Sequence, residues 1–286
     1  MIATGSAATH VAPGDKVLLS FSHCEACAAC LSGHPAYCHS FNARNFGGRR
    51  ADGTPSMFAS KEEEEGSCSG GGKSKGEGIF STFFGQSSFA RHTLAHRSTV
   101  VKVPPSTDLA LYAPMGCGMQ TGAGAVLNSL GVKPGSSVAV FGVGSVGMAA
   151  VMAAAKVAGA GTVIAVDLQP ARLELAKKLG ATHVVLAGGG EGDVVAEVRR
   201  ICPPNGVDYA VDCTGVPKVI RDMIDCLGTR GRGATVGAPG FGKTVSVDVM
   251  EHLTYGKEYV GCVEGDSLPS KVSFWRSVLV RFELVC

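Results

Sequence analysis

The chain has 286 residues, 45% of them hydrophobic and only 17% charged, which is room for about two domains and a substantial core and excludes a disordered chain. The net charge of +2 lies too near neutral to suggest nucleic acid or a membrane surface as partner. Eleven cysteines, four of them clustered, point to metal binding in a reducing compartment rather than to disulfides, so a cytoplasmic protein is expected.

The first residues lack a basic stretch followed by an apolar core, so no signal peptide is expected, and the Ala-rich run Met148–Ala160 is broken by Lys156 and too short to span a bilayer. The opening Thr9–Leu19 carries Pro13-Gly14-Asp15 turn chemistry leading into a strand. Cys24, Cys27, Cys30 and Cys38 then follow with the spacing C-x2-C-x2-C-x7-C. Four thiolates so spaced can wrap one tetrahedral zinc at about 2.3 Å per bond, and an all-sulfur shell leaves no position open for substrate, so the site reads as structural. An iron–sulfur cluster and a chance grouping of cysteines are the other readings. His23, His34 and His39 interleave with the cysteines and read as loop residues, because four sulfurs complete the shell.

Asn42–Arg50 reads as loop, and Ser60–Gly78, with its acidic run, glycines and lysines, reads as a mobile surface insertion. Gly72-Lys73-Ser74 looks like the end of a phosphate-binding loop, but Ser67 stands where the first glycine belongs and no strand precedes it, which excludes nucleotide binding there. Ile79–Ala90 is aromatic and β-rich, and Val100–Val103 is a short strand before the linker Pro104-Pro105. A helix is expected from about Met115 to Leu130.

Ser136–Asp167 carries the strongest pattern. An apolar strand over Ser137–Phe141 runs into Gly142-Val143-Gly144-Ser145-Val146-Gly147, the G-x-G-x-x-G turn, and a helix follows over about Ser145–Val157. Gly142 permits the tight turn, Gly144 lets a pyrophosphate approach the backbone, and Gly147 lets helix and strand pack closely. The helix start offers free N–H groups and a positive dipole end to that phosphate. A second strand over Thr162–Val166 delivers Asp167, whose carboxylate suits the adenosine ribose hydroxyls and repels a 2′-phosphate. Leu168, not an arginine, follows it, so NAD is expected over NADP.

Helices over Arg172–Leu179, Asp193–Arg200 and Pro217–Leu227 then alternate with strands over His183–Leu186, Gly206–Asp212 and Gly233–Val236, with a sixth strand within Tyr255–Glu264. The alternation predicts an α/β fold, a doubly wound parallel sheet. The expected domains are 1–114, 115–264 and a tail at 265–286.

Together the Cys24/27/30/38 group, Gly116-Cys117-Gly118, the Gly142–Gly147 turn and Asp167 stand in the order seen in zinc-containing medium-chain alcohol dehydrogenases. The wording FNARNFGGRR, FFGQSSFA and CGMQTGAGAVLN resembles the aryl-alcohol (benzyl-alcohol) branch. The resemblance covers His10 to Pro269, apart from the insertion at 61–78. It implies a Rossmann domain beside a GroES-like β-domain, zinc and NAD as cofactors, a small alcohol or aldehyde as substrate, and self-association through the Rossmann domain. It also implies oxidation of a primary alcohol with hydride transfer to the nicotinamide. Cys117 matches a catalytic zinc ligand and Thr121 a position beside the nicotinamide. Val146 and Gly147 match the pyrophosphate turn, and Arg172 a basic residue near the adenosine ribose. Val236, Ala238 and the Cys262–Glu264 backbone match positions lining the nicotinamide; for Val236 and Ala238, strand-end packing is the competing reading.

The family's other catalytic ligands, an early Cys and a later His-Glu pair, have no counterpart in this sequence. His92 and His96 read as surface or core histidines. The β-domain is therefore expected to be incomplete, with exposed sheet edges, and zinc-assisted turnover to be lost. Three readings remain: an active dehydrogenase whose zinc site is completed by another histidine or a partner chain, a non-catalytic zinc- and NAD-binding remnant, and an incomplete gene product.

Overall fold

The structure is a computed structural model that describes residues 1–50, 52–55, 57–58, 78–86, 91–188 and 193–269. The insertion expected at 60–78 lies outside the described residues except for Gly78, as do Ser87–Ala90 and the tail from Ser270 onward. The chain divides into two compact units, Met1–Ala113 and Pro114–Cys286.

In the second unit, six strands form one parallel sheet: β5 (Ser137–Phe141), β6 (Thr162–Asp167), β7 (His183–Leu186), β8 (Val207–Asp212), β9 (Leu227–Thr235) and β10 (Glu258–Gly261). Their spatial order is β10-β9-β8-β5-β6-β7, the doubly wound arrangement in which the order reverses between β5 and β8. Val138–Phe141 in β5 and Val163–Val166 in β6 are apolar at every position because both faces are covered. Val138, Val140, Val163 and Ala165 enter one core layer, while Ala139, Phe141, Ile164 and Val166 enter the other.

The helices are α4 (Gly118–Gly124), α5 (Ser145–Met152), α6 (Pro170–Leu179), α7 (Val194–Ile201), α8 (Pro217–Asp225) and α9 (Val249–Tyr255). Both α4 and α5 run on into a wider π-type turn, over Ala125–Ser129 and Ala153–Ala158. Two elements depart from expectation. Strand β9 starts at Leu227 rather than Gly233; Gly228, Arg230 and Gly231 disguise its first half, and Arg230 sits at φ 58° where its register with β8 shifts. Helix α9 was not expected, although Asp248 caps it by accepting from Glu251 N at 2.9 Å and Gly256 closes it at φ 60°.

The described residues of the first unit hold little regular structure. Strand β1 (Val17–Leu19) pairs antiparallel with β4 (Val100–Lys102), and β2 (Met57–Phe58) with β3 (Gly78–Ile79). Short helices α1 (Ala28–Leu31), α2 (Phe41–Phe46) and α3 (Leu109–Tyr112) complete it. Helix α2 corrects the loop expected at Asn42–Arg50. Its anchor is Asn45, fully buried, whose amide accepts from Ser22 N at 2.7 Å and donates to Ser22 O at 2.9 Å. Phe41 and Phe46 add tilted and edge-on contacts with Phe21, Phe83 and Phe84. The β-rich segment expected from Ile79 is also corrected: among its described residues only Ile79 lies in a strand, Thr82 bridges to Gly48, and a turn follows.

Candidate functional site

In the first unit, the Cys24–Cys38 loop folds back through α1 and a 3-10 turn at Pro35–Tyr37. It brings the four sulfurs of Cys24, Cys27, Cys30 and Cys38 within 4.8 Å of one another. Cys30 Sγ lies 3.8 Å from Cys24 Sγ and 3.6 Å from Cys27 Sγ. A zinc tetrahedron with bonds of 2.3 Å has edges of about 3.8 Å, so these two pairs already stand at the spacing that ion sets. Backbone N–H groups point at them: Cys27 N and Ala26 N donate to Cys24 Sγ at 3.2 and 3.5 Å, and Cys24 N to Cys38 Sγ at 3.4 Å.

Backbone hydrogen bonds draw the Cys27 thiol down to about 6 and lower that of Cys24. Burial raises Cys38 and pushes Cys30 up to about 12. Four sulfurs this close cannot all ionise alone, and a divalent cation is what lets them. No histidine belongs to the group, and it is the one such gathering of three or more ligand residues among the described residues.

In the second unit, the glycine turn sits at the carboxyl end of β5, beside the point where strand order reverses. Gly142 takes φ 82°, and its N–H donates to Val166 O at 2.8 Å. A Cβ on Gly147 would collide with the Gly142 carbonyl oxygen, whereas one on Gly144 would meet nothing within 4 Å. The two glycines thus do different work: Gly147 closes the helix onto the turn, and Gly144 keeps the approach clear. Helix α5 begins at Gly144 with no side-chain cap, while α7 and α9 begin under the aspartates Asp193 and Asp248. An uncapped start at a sheet's switch point suits a phosphate.

Asp167 ends β6 with only 7% of its surface exposed. Its Oδ2 accepts from Val143 N at 2.9 Å and its Oδ1 from Gln169 N at 2.8 Å. Arg172 Nη1 stands 3.8 Å from Oδ2, on an exposed side chain. Val146 is half-buried on the first turn of α5. Across the switch point, Val236 N donates to Asp212 O at 2.9 Å, which places Val236 and the exposed Ala238 at the carboxyl ends of β8 and β9.

Cys117 immediately precedes α4. Its side chain is accessible, yet the protein packed around the sulfur, followed by the charge of Glu264, pushes the thiol up to about 12. The sulfur lies 3.6 Å from Glu264 Oε1. Thr121 Oγ1 donates to Cys117 O at 2.8 Å and lies 3.5 Å from Glu264 Oε2. Glu264 itself is buried, and burial raises its carboxyl above the ordinary range, opposed by its hydrogen bonds. The sequence reading noted this residue's backbone and missed its side chain. One thiol and one carboxylate are fewer donors than the three protein ligands of a catalytic zinc, so the described residues here do not by themselves form that shell.

Residues 145–277 match the family described as zinc-binding dehydrogenase. The chain is 38% identical to a probable alcohol dehydrogenase of a Pseudomonas species, over 93% of this chain and 79% of that protein. It is equally identical to the geraniol dehydrogenase of Castellaniella defragrans, covering 94% and 68%. Among solved structures, an alcohol dehydrogenase zinc-binding domain protein from Burkholderia ambifaria aligns with a TM-score of 0.88 at 46% identity, over 99% of this chain and 71% of that one. The benzyl alcohol dehydrogenase of Acinetobacter calcoaceticus aligns with a TM-score of 0.82 at 40% identity, over 96% and 69%. Sequence motif, sheet order and these likenesses agree, and the chain belongs to the zinc-binding medium-chain alcohol dehydrogenases, an oxidoreductase family that uses zinc and a nicotinamide cofactor.

Proposed function

We propose that this protein serves the NAD-dependent oxidation of primary, aryl-type alcohols to aldehydes. The observation that carries the cofactor reading is Asp167, a carboxylate fixed at the end of β6 by two backbone N–H groups and followed by Leu168. Two accepted bonds leave about half of a carboxylate's lone-pair positions free for ribose hydroxyls. Arg172 is turned towards Asp167, so the local positive charge is already balanced and offers little to a 2′-phosphate. Gly142, Gly144, Val146 and Gly147 hold the pyrophosphate, Arg172 borders the adenosine ribose, and Thr121, Val236 and Ala238 border the nicotinamide. When bound, NAD supplies the hydride acceptor. Cys24, Cys27, Cys30 and Cys38 hold a structural zinc, and Cys117 is one ligand of the catalytic metal. The aryl preference is supported by likeness to the benzyl alcohol dehydrogenase.

The lone thiol at Cys117 favours a second reading, in which zinc and NAD bind without turnover. Benzyl alcohol with NAD, followed by NADH absorbance, separates the two. Turnover that vanishes in Cys117→Ala supports catalysis; tight NADH binding with no turnover supports the binding role.

Cofactor choice is tested with Asp167→Ser. Losing hydrogen bonds to a charged acceptor is expected to lower the NAD/NADP affinity ratio by about 10- to 100-fold. The ratio is the quantity to measure, because loosening the Val143 contact weakens both cofactors alike. An unchanged ratio would sink the NAD assignment.

Self-association through this unit is part of the same proposal. Among the described residues strand β10 is the edge of the sheet, and Val249, Met250 and Leu253 on neighbouring α9 are exposed. Sedimentation velocity is expected to show a dimer that Leu253→Lys weakens; a monomer at all concentrations would refute it.

A further inference from the structure

The segment Glu264–Asp266 holds three successive residues in the left-handed region, at φ 48°, 68° and 47°, two of them not glycine. Such a run is strained and persists only where its surroundings over-determine it. Here they do. A Cβ on Gly124 would strike the Gly265 carbonyl oxygen, and one on Gly265 would strike the Gln120 carbonyl oxygen, so the segment lies directly on α4. Asn128 Nδ2 donates to Gly265 O at 2.9 Å and to Asp266 O at 3.3 Å.

The product of this conformation is one buried carboxylate aimed at one turn of α4. Gln120 Nε2 bridges Gly116 O and Glu264 Oε2, both at 2.9 Å, and Glu264 Oε1 meets the Cys117 sulfur at 3.6 Å. The segment also follows β10, on the half of the sheet beyond the switch point, opposite the adenosine half of β5–β7. The turn of α4 that carries Cys117 and the segment that follows β10 therefore meet at one residue, Glu264.

We propose that Glu264 is a positioning residue that fixes the Cys117 sulfur and, through the 264–266 segment, couples it to nicotinamide binding. This rests on the NAD reading above. If it holds, the state of the sulfur and the occupancy of the crevice are linked, each altering the other by the same factor.

The test uses the full chain and two readouts: the rate of Cys117 alkylation by iodoacetamide, followed by peptide mass spectrometry with Cys202 as internal reference, and the dissociation constant of NADH by its fluorescence. Glu264→Ala is expected to speed Cys117 alkylation and to weaken NADH, each by about tenfold, the worth of one hydrogen bond to a charged group. Glu264→Gln keeps the shape and a partner for both Gln120 and the sulfur, though not the charge that holds the thiol up, and is expected to restore NADH affinity to within about threefold of the unmodified chain. Gln120→Leu, which removes the clamp from the other side, is expected to resemble Glu264→Ala and carries the test should the alanine variant fail to fold. Rates and affinities within twofold of the unmodified chain in Gln120→Leu, or a glutamine variant that binds NADH as weakly as the alanine variant, would overturn the proposal. Should the unmodified chain bind no NADH, the cofactor reading and the coupling fall together, and the alkylation rates alone decide whether Glu264 positions the sulfur.

Discussion

Cys30→Ser is expected to remove one zinc per chain and to unfold the loop around it while the second unit stays intact. Cys30 is within 4 Å of two other sulfurs, so an oxygen there removes one of the four ligands and loosens both of these contacts at once. The loop has little else to hold it: its buried apolar residues are Phe21, Ala36, Cys38 and Phe41, and α1 spans only four residues. Structural zinc contributes on the order of 10–16 kcal/mol in small domains, far more than such a core supplies. Elemental analysis checks the metal, and amide exchange at Cys24, Ala26 and Cys27, whose N–H groups face the sulfurs or their loop, checks the fold. Full zinc content with unchanged protection in the serine variant would reject the site.

The second large effect separates two glycines of one turn. Gly147→Ala puts a methyl group into the Gly142 carbonyl and 3.4 Å from Val140 Cγ1, both on rigid backbone or buried core. Overpacking of this kind costs about 2–3 kcal/mol, a fall of roughly 4–12 °C in Tm for a unit of this size. Gly144→Ala meets no neighbour and keeps an ordinary φ of −73°, so stability is expected to stay within about 0.5 kcal/mol. Its methyl group nevertheless stands where a pyrophosphate must approach, and NADH affinity is expected to fall by about tenfold or more. Thermal unfolding and NADH titration of both variants give the answer; a Gly144→Ala protein that binds NADH normally would show that the cofactor does not use this turn.

The parts of the molecule that announce themselves in sequence are those whose constraint is local. Val138–Phe141 and Val163–Val166 are apolar at every position because water reaches neither face, and the turn between them needs glycine for reasons internal to the turn. The four cysteines are equally explicit, since a metal loop is set by spacing. Helix α2 hid because its stability comes from Asn45 reaching Ser22, 23 residues earlier, and from a phenylalanine cluster assembled by folding. Helix α9 carried a legible signal, Asp248 followed three residues later by Glu251, overlooked because its exposed apolar side chains give no stripe facing a core. Glu264 had no local mark at all. It meets Cys117 across 147 residues of sequence, and only the conformation of its own loop makes that contact.

Asp167 has a consequence for how such a protein can change over generations. Its Oδ2 is the acceptor that holds Val143 in the glycine turn and, in the function proposed above, also the surface that recognises a ribose. An exchange that removes this acceptor to welcome a phosphorylated cofactor therefore also unties the backbone that must grip either one. A lineage moving between the two dinucleotides has to install a replacement acceptor for Val143 before or together with the loss of this carboxylate. The NAD preference proposed above is in that sense guarded by the architecture of the turn, and single steps that lose the acceptor pass through weaker binders.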